Sequence, residues 1–378
     1  MTTAACWSSL DTHPMAGWRR PVSLPLPALP QASRLLWCGI GGSLLPAETL
    51  LRAFGEEAIQ SRWTPLASPQ PQALALRPDD QLVFASKSGK TLELWTWIGR
   101  LRALPGWDRL ERPPILITQD DANPLARWGR SEGYPILPIP VEVGGRFSAF
   151  TPVGTLPLAW MGRDPEAFLA GGRAVAESAR DPESLWGGRI AGLVEALREG
   201  YLRGLTEWVF MPYDRRLESL SAWWTQLVAE SLGKQAADGT RRGFSPLRAV
   251  GPVDQHSQLQ RWMAGPRNLG VILLTVEDPA APERLAVPEA CPYPGLAGLR
   301  GADILAAQAE GTAEALEGAG VPVIRQHLSS LDERSLGELM MAWQFVVGLL
   351  GFALEVDPFD QPAVEDGKLR TFRKLGLA

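Results

Sequence analysis

The stretch Phe84-Ala85-Ser86-Lys87-Ser88-Gly89-Lys90-Thr91-Leu92-Glu93 decides how this sequence is interpreted. The apolar residues that lead into it suit a buried strand, and the apolar spacing that follows it suits a helix with one apolar face. Three hydroxyl groups and two lysines fall within residues 86–91, between the strand and the helix. The first turn of a helix has free N–H groups and the positive end of the helix dipole. Residues 86–91, the phosphate turn, are therefore predicted to bind a phosphate group.

Two other interpretations of the phosphate turn remain open when it is taken alone. Ser-Lys-Ser-Gly is also the composition of an ordinary turn, in which Thr91 caps the following helix. Gly89-Lys90-Thr91 also resembles the end of a nucleotide-binding P-loop. That motif needs a glycine five positions before Gly89, where this sequence has Phe84. The nucleotide interpretation is therefore the weaker one.

Composition narrows the class of protein. The 378 residues are enough for two domains, and 45% hydrophobic with 21% charged residues is typical of a soluble globular protein. A net charge of −5 gives no reason to expect nucleic acid or an anionic membrane as a partner, and no apolar run predicts a membrane span. The three cysteines are far apart and no signal peptide is evident, so we expect a cytoplasmic protein without disulfides. The three histidines lack metal-ligand spacing, and no metal site is predicted.

A second polar turn follows the apolar stretch Leu35-Leu36-Trp37-Cys38. Its sequence is Gly39-Ile40-Gly41-Gly42-Ser43, and we refer to residues 39–43 as the glycine turn. Glycines allow backbone N–H groups to approach a ligand closely, although a purely structural turn explains them as well. The dinucleotide fingerprint would need a third glycine at position 44, where the sequence has Leu44. The glycine turn thus favours a small anionic ligand over a dinucleotide.

Strand and helix patterns alternate along the chain, which predicts parallel sheets with helices on both faces. The predicted fold class is α/β, with two three-layer α/β/α sandwich domains. Residues 1–30 contain five prolines and are predicted to form an extended arm. Residues 31–165 are predicted to form the first domain, and residues 190–378 the second domain with a C-terminal tail. The boundary is placed in residues 163–190, which are charged and contain Gly and Pro.

Two further patterns are candidates for chemistry. Gln226, Glu230 and Lys234 are four residues apart, which predicts that they share one helical face. A solvated Glu–Lys pair is the commoner explanation of such spacing. Arg146 follows Gly144 and Gly145 in an uncharged stretch, and a surface salt bridge is the ordinary explanation of a single arginine.

Six stretches, taken together, resemble the glucose-6-phosphate isomerase family over about residues 35–368. They are the glycine turn, Ser86-Lys87-Ser88-Gly89, Gly144-Gly145-Arg146-Phe147-Ser148, Glu230-Ser231-Leu232-Gly233-Lys234, Asp254-Gln255-His256-Ser257 and Phe359-Asp360-Gln361-Pro362. Each stretch is a weak signal, but the six occur in the family's order. The resemblance implies two sugar-isomerase domains. It also implies reversible isomerisation of D-glucose 6-phosphate and D-fructose 6-phosphate, in glycolysis and gluconeogenesis, without a cofactor.

The resemblance also implies roles for individual residues. Glu230 matches the catalytic base, and Arg146 matches the charge that faces the oxygens of a cis-enediol intermediate. His256 matches the residue that helps to open the sugar ring, and Lys368 matches its partner. In the family the enzyme is a homodimer, and this histidine reaches into the neighbouring subunit's site. The other matching positions are Ser43, Ser86, Lys87, Ser88 and Thr91 for the phosphate, and Gly42, Gly145, Gln226 and Gln361 for the rest of the substrate.

The sequence also departs from the family pattern. Lys90 stands where the family usually has threonine, and Ala229 stands where bacterial members commonly have glycine. The segment before Gly39 is shorter than usual, so the family's N-terminal helices are expected to be missing. Two other functions remain open, a dual isomerase that also takes mannose 6-phosphate and a non-catalytic sugar-phosphate sensor. A sensor needs only the phosphate site, so the presence of the four catalytic matches argues against it.

Overall fold

The first part of the chain contains a run of short parallel strands and the helices that connect them. The computed structural model describes residues 3–30, 33–277 and 283–377. Its strands here are β1 Leu35–Cys38, β2 Trp63–Leu66, β3 Gln81–Ala85, β4 Ile115–Thr118 and β5 Ile136–Pro138. Its helices here are α1 Thr3–Thr12, α2 Leu45–Phe54, α3 Glu57–Gln60, α4 Leu92–Ala103, α5 Pro124–Glu132, α6 Pro152–Trp160, α7 Pro165–Ser178 and α8 Leu185–Leu202.

The second part of the chain repeats this alternation. Its strands are β6 Glu207–Pro212, β7 Lys234–Gln235, β8 Arg241–Arg242, β9 Ser245–Arg248, β10 Leu269–Val276 and β11 Val323–Leu328. Its helices are α9 Glu218–Leu232, α10 Leu259–Ala264, α11 Gly301–Gly318, α12 Glu333–Ala353 and α13 Ala363–Lys374. Residues 1–2, 31–32, 278–282 and 378, which fall within the predicted arm and domains, lie outside the described residues.

The strand order explains where a ligand site should lie. The first sheet has the order β2-β1-β3-β4-β5 and the second has the order β11-β10-β6-β9, and neighbouring strands in both are parallel. In the first sheet β2 lies on one side of β1, and β3, β4 and β5 follow on the other side. The order in which strands are added therefore changes direction between β1 and β3. The crevice beyond the carboxyl ends of these two strands is the usual ligand site of such sheets. The glycine turn follows β1 and the phosphate turn follows β3, so both lie at this crevice.

Alternating side chains bury both faces of the sheets, which confirms the predicted α/β fold class. Phe84 and Leu116 pack on one face of the first sheet, in a core that includes residues of α4 and α5. Val83 and Ile117 point to the other face and join a larger core, which continues to Phe210 of the second sheet. Burying each such side chain contributes about 1.5–3 kcal/mol. This shared core joins the two sheets.

Three edge strands are absent from the sequence-based prediction, and each contains proline. β2, β5 and β9 lie at the edges of their sheets and contain Pro65, Pro138 and Pro246. Proline lacks the N–H group that a central strand donates, so it argues against a strand but is tolerated at an edge. Residues 235–248 therefore show no strand pattern in the sequence, although β8 and β9 lie within them.

The N-terminal segment is not a simple extended arm. Residues Thr3–Thr12 form α1, and Cys6 and Leu10 on one face of it are buried in the main core. This helix lies entirely before Pro14, the first proline of the segment. The prediction of an extended arm is wrong for these residues.

The region chosen as a domain boundary is helical and packed. It contains α7 and the start of α8, and Phe168 and Leu169 of α7 are buried. A Cβ at Gly171 would lie 2.1 Å from the Arg334 carbonyl oxygen, and one at Gly337 would lie 2.3 Å from the Phe168 carbonyl oxygen. These glycines therefore allow α7 and α12 to approach closely, and their presence does not mark a flexible linker. The domain limits stay a prediction.

One described helix, α12, is long and apolar enough to cross a membrane by length and composition alone. Its apolar window has a mean hydropathy of 1.5, and 83% of that window is buried inside the fold. α12 packs against α1, α7, α8 and α9, which accounts for its composition as a core helix.

Candidate active site

The phosphate turn has the geometry of an anion site. Ser86 is buried, and its Oγ lies 2.8 Å from Thr91 Oγ1 and accepts a hydrogen bond from the Gly89 N–H at 3.2 Å. Thr91 occupies the N-cap position of α4, but its side chain accepts no bond from the helix. The interpretation of Thr91 as an ordinary side-chain cap is therefore wrong. The N–H groups of this first turn are not taken by a cap, which suits a phosphate.

Asn123, the N-cap residue of α5, packs against the phosphate turn. Its Nδ2 donates to the Gln119 carbonyl at 2.6 Å, and its Oδ1 accepts from the Ala126 N–H at 3.0 Å. A Cβ at Gly89 would lie 2.1 Å from this Oδ1, and Gly89 has a φ of +64°. Only glycine fits this position, because a side chain would be both strained and obstructed.

The two lysines differ in their surroundings. Lys87 Nζ donates to the Val141 carbonyl at 2.8 Å, and burial lowers the pKa of Lys87 while Glu142 and Asp121 oppose that shift. Lys90 is exposed, as is Ser88, whose Oγ accepts from the Lys90 N–H at 3.3 Å. Ser86 thus forms the inner part of the turn, and Ser88 and Lys90 lie at its exposed margin.

The glycine turn touches the segment that carries Arg146. A Cβ at Gly42 would lie 2.1 Å from the Gly145 carbonyl oxygen, and Ser148 Oγ donates to the Gly42 carbonyl at 2.8 Å. We call residues 144–148 the arginine turn. A Cβ at Gly145 itself would meet nothing within 4 Å, so the space beside it is open. Ser43, which ends the glycine turn, is half-buried just before α2.

Gln226 and Glu230 lie on one face of α9, as predicted, and they are bonded to each other. Gln226 Nε2 donates to Glu230 Oε1 at 3.0 Å. Gly41, with a φ of +55°, allows this amide to approach, because a Cβ there would lie 2.6 Å from Gln226 Nε2. Gln226 Oε1 is buried and accepts no hydrogen bond from the described residues. A buried acceptor without a donor is a place where a substrate hydroxyl would fit.

Arg146 is buried and faces Glu230, so the surface-salt-bridge interpretation is wrong. Its side chain is 3% exposed, and Nη1 lies 3.6 Å from Glu230 Oε2. Nη1 also donates to Gln361 Oε1 at 2.9 Å, and Nε donates to Ser231 Oγ at 2.8 Å. Nη2 donates to the carbonyls of Pro358 at 2.6 Å and Asp360 at 2.8 Å.

The charge on Arg146 survives this burial. Burial lowers the pKa of the Arg146 guanidinium, while the carboxylates of Glu230 and Asp360 oppose that shift. An arginine side chain stays protonated in proteins, because its pKa begins far above neutrality. The site therefore contains a fixed positive charge beside a carboxylate that is one-third exposed.

Sequence reasoning gave Ser231 no role and placed Lys234 on the wrong element, although both belong to this cluster. Ser231 holds Arg146 Nε, and Lys234 donates to the carbonyls of Asp357 and Asp360. The expected face shared by Glu230 and Lys234 is wrong, because α9 ends at Leu232. Burial lowers the pKa of Lys234, and Asp360 opposes that shift. The stretch around Asp360 was singled out in the sequence, but its carbonyl groups carry no signal in the side-chain pattern.

His256 and Lys368 are not brought to this cluster within the single chain. His256 is exposed in the loop after β9, and its side chain makes no hydrogen bond or ion pair with any residue that the structure describes. Lys368 is exposed on α13, where its Nζ lies 2.6 Å from Glu365 Oε1. Their predicted roles are not tested by this arrangement.

A cavity of about 760 Å³ lies among α1, α7, α8 and α12, but most of its lining is apolar. Among the described residues, no three His, Cys, Asp or Glu side chains are grouped in a way that could hold a metal ion.

Comparison with known proteins shows the family to which the chain belongs. No family model matches the chain. A glucose-6-phosphate isomerase of Thermus thermophilus is 38% identical over 361 residues, which cover 92% of this chain and 85% of that one. A solved structure of a hypothetical protein from the same species is 34% identical with a TM-score of 0.81, covering 99% of this chain and 90% of that chain. A glucose-6-phosphate isomerase from Chlamydia trachomatis has the same fold, with 20% identity, a TM-score of 0.72 and coverage of 99% and 73%.

The two parallel sheets, with the polar turns at a switch point, define a protein of the sugar-isomerase fold. The identity to the Thermus enzyme extends over most of both chains. The chain belongs to the glucose-6-phosphate isomerase family.

The contact between the glycine turn and the arginine turn leads to a test. Gly42→Ala places a methyl group 2.1 Å from the Gly145 carbonyl oxygen, so the two turns must separate. We expect isomerase turnover to fall by about 10²-fold, the loss that a displacement of about 1 Å can cause. Gly192→Ala is the matched control, because a Cβ there meets nothing within 4 Å on the exposed side of α8. Equal turnover in the two variants would show that the close approach is unimportant.

Proposed function

We propose that this protein interconverts glucose 6-phosphate and fructose 6-phosphate, with Glu230 as the base. The observation that carries the proposal is the pair formed by the partly exposed Glu230 carboxylate and the buried Arg146 guanidinium, 3.6 Å apart. Family membership supplies the reaction, and this pair supplies groups of the right kind to perform it. The remaining steps follow from the chemistry of an aldose–ketose shift.

The shift moves one proton between C1 and C2 through a cis-enediol. A single carboxylate on one face of the substrate can remove the proton from one carbon and return it to the other. Glu230 is accessible enough to do so, and the Gln226 amide holds one of its oxygens at 3.0 Å. The carbon acid is weak, so the negative charge that develops on the substrate oxygens needs a fixed positive neighbour. Arg146 meets this need without giving up a proton.

Binding of the phosphate at a distance from C1 and C2 positions the reacting carbons. In the proposal, Ser43, Ser86, Ser88, Thr91 and the first-turn N–H groups of α4 hold the phosphate, with Lys87 adding positive charge. Gly145 leaves room for the sugar, Gly42 lets the glycine turn reach it, and the unpaired Gln226 Oε1 accepts a sugar hydroxyl. Gln361 contacts the substrate from beside Arg146. Such anchoring lowers the entropic part of the barrier.

Ring opening is assigned to His256 with Lys368, supplied in a cytoplasmic homodimer. A histidine titrates near neutrality and can act as acid or base at the ring oxygen and the O1 hydroxyl. Its exposure, without a side-chain partner in its own described chain, fits a residue that completes a neighbour's site. Val253, in the same loop, is 68% exposed, and Val364, Leu369 and Leu375 near the C-terminus are also exposed. Apolar side chains at both places fit surfaces that a second subunit covers.

The role of Glu230 is tested by Glu230→Gln. The amide keeps the size of the side chain but cannot accept the proton, so kcat should fall by at least ~10²-fold. Substrate affinity should change little, and solvent deuterium should no longer exchange at C2 of the substrate. Glu218→Gln, in the first turn of the same helix, is the control and should leave kcat unchanged. Near-native turnover in Glu230→Gln would assign the base to another residue.

The phosphate turn is tested by Ser86→Ala and Ser88→Ala. Each removes one donor to a charged group, which should weaken binding by about 1.5–3 kcal/mol. The loss should be equal for fructose 6-phosphate and for inorganic phosphate as a competitive inhibitor, because both use the same donors. Thr96→Ala changes a hydroxyl further along α4, bonded to the Leu92 carbonyl, and should have no effect. Phosphate inhibition that stays unchanged in both serine variants would rule out this turn as the anion site.

The shared histidine is tested by co-expressing Glu230→Gln and His256→Ala chains, each nearly inactive as a homodimer. If His256 acts across the two-fold axis, a mixed dimer has one site with both groups intact and one site with neither. Random pairing makes about half of the dimers mixed, so roughly a quarter of native activity should return, by counting over closed two-fold symmetry. If His256 serves its own chain, every site lacks one group. Absence of recovery, with mixed dimers confirmed by mass, would refute the shared site.

A further inference from the structure

Trp18, in the segment before β1, packs against the residue that follows Arg146. It is 2% exposed, and its ring stacks on Phe147 with 5.2 Å between ring centroids and an interplanar angle of 27°. Its edge meets Phe345 of α12 at 5.0 Å. Trp18 therefore fixes the arginine turn against the core helix.

The same tryptophan approaches the loop that holds the Arg146 guanidinium. Its ring centroid lies 6.4 Å from that of Phe359, and Phe359 lies 5.0 Å from Phe147. Phe359 stands between Pro358 and Asp360, the two residues whose carbonyls accept hydrogen bonds from Arg146 Nη2. Residues 354–362, between α12 and α13, are called the C-terminal loop below. Trp18 thus contacts both the segment that carries the arginine and the segment that holds it.

His13 fixes the C-terminal loop from the other side. Its ring lies 4.6 Å from the Phe359 ring, and its Nδ1 accepts a hydrogen bond from the Met15 N–H at 3.1 Å. Because Nδ1 is the acceptor, the neutral ring carries its proton on Nε2, which lies 3.5 Å from Asp357 Oδ2. Asp357 Oδ1 in turn accepts from the Phe359 N–H at 2.8 Å.

The backbone of this N-terminal segment is itself tied to the residues that lead into the arginine turn. The Gly17 N–H donates to the Glu142 carbonyl at 3.2 Å, and Ala16 forms a bridge with Val143. A Cβ at Gly17 would lie 1.9 Å from Glu142 Cγ, so a side chain there would displace the Glu142 side chain. The position of Trp18 is therefore fixed relative to residues 142–143 as well as to α12.

We propose that Trp18 and His13 are positioning residues, which keep the Arg146 guanidinium aimed at the place where negative charge develops. Electrostatic stabilisation of a transition state depends on groups that are fixed in advance, within about 0.5 Å. All the hydrogen-bond acceptors of Arg146 except Ser231 belong to the C-terminal loop. A loop that shifts when Trp18 or His13 is removed therefore shifts the charge. The inference rests on the proposed role of Arg146.

Trp18→Leu tests the inference, with Trp18→Phe and Trp160→Leu as matched variants. Trp160 is equally buried, in α6, and belongs to the same core. We expect Trp18→Leu to lower kcat by about tenfold or more, since small displacements of a catalytic group are costly. KM for fructose 6-phosphate and inhibition by inorganic phosphate should change by less than about twofold, because the phosphate turn is untouched. Trp18→Phe keeps an aromatic ring against Phe147 and should restore most of kcat. Trp160→Leu should lower Tm but leave kcat near native below that temperature.

Native kcat in Trp18→Leu, or an equal loss of kcat in Trp160→Leu, would overturn the inference.

His13→Gln tests the inference if Trp18→Leu does not fold. His13 lies at the margin of the core, so its replacement disturbs folding less. We expect kcat to fall about threefold with KM unchanged, a small part of the loss that misplacement can cause. Native kcat in His13→Gln would also overturn the inference.

Arg146→Lys distinguishes a failure of the proposed role of Arg146 from a failure of the positioning inference. If it retains native kcat, the proposed role of Arg146 fails; if it is impaired while Trp18→Leu and His13→Gln are not, only the positioning inference fails.

Discussion

The burial of one guanidinium group, that of Arg146, is the constraint on which the site depends. A charge removed from water must be paired and hydrogen-bonded, or it costs several kcal/mol. Arg146 meets this condition by drawing on segments that are far apart in sequence, at Ser231 and at residues 358–361. Glu230, one residue before Ser231, is placed beside the charge by the same arrangement. The arginine thus joins the first sheet's crevice, the end of α9 and the C-terminal loop.

Close backbone approach is the second condition, and a few glycines make it possible. Gly42 lets the glycine turn touch the arginine turn, Gly41 admits the Gln226 amide, and Gly89 admits Asn123 under the phosphate turn. Each would clash if it carried a Cβ. These close approaches shape the crevice between β1 and β3, where the hydroxyl groups of the phosphate turn and the first N–H groups of α4 lie. That geometry suits a phosphate, which is compact and accepts many hydrogen bonds.

The sequence predicts those elements whose local residue pattern matches their surroundings in the folded protein. Apolar runs identify β1, β3, β4, β6 and β10, and the pair of Thr151 and Pro152 marks the start of α6, where Thr151 accepts from the Val153 N–H. It fails where tertiary contacts override the local signal. Pro65, Pro138 and Pro246 argue against strands, so three edge strands are not predicted, and the glycines of α7 suggest a linker although they permit tight helix packing.

For the site, the side chains of Glu230, Gln226 and Arg146 could be identified from the sequence. The contacts made by the carbonyls of Pro358 and Asp360 and by Trp18 could not, because they join segments that are far apart in the sequence.

A crystal structure with bound fructose 6-phosphate tests the central claim most directly. The account predicts that the phosphate lies in the turn of residues 86–91, against Ser86 and the first N–H groups of α4. It also predicts C1 and C2 between the Glu230 carboxylate and the Arg146 guanidinium, with the carboxylate within hydrogen-bond reach of the carbon-bound proton that it moves. A phosphate bound elsewhere, or C1 and C2 beyond the reach of Glu230 with the phosphate in place, would contradict the account.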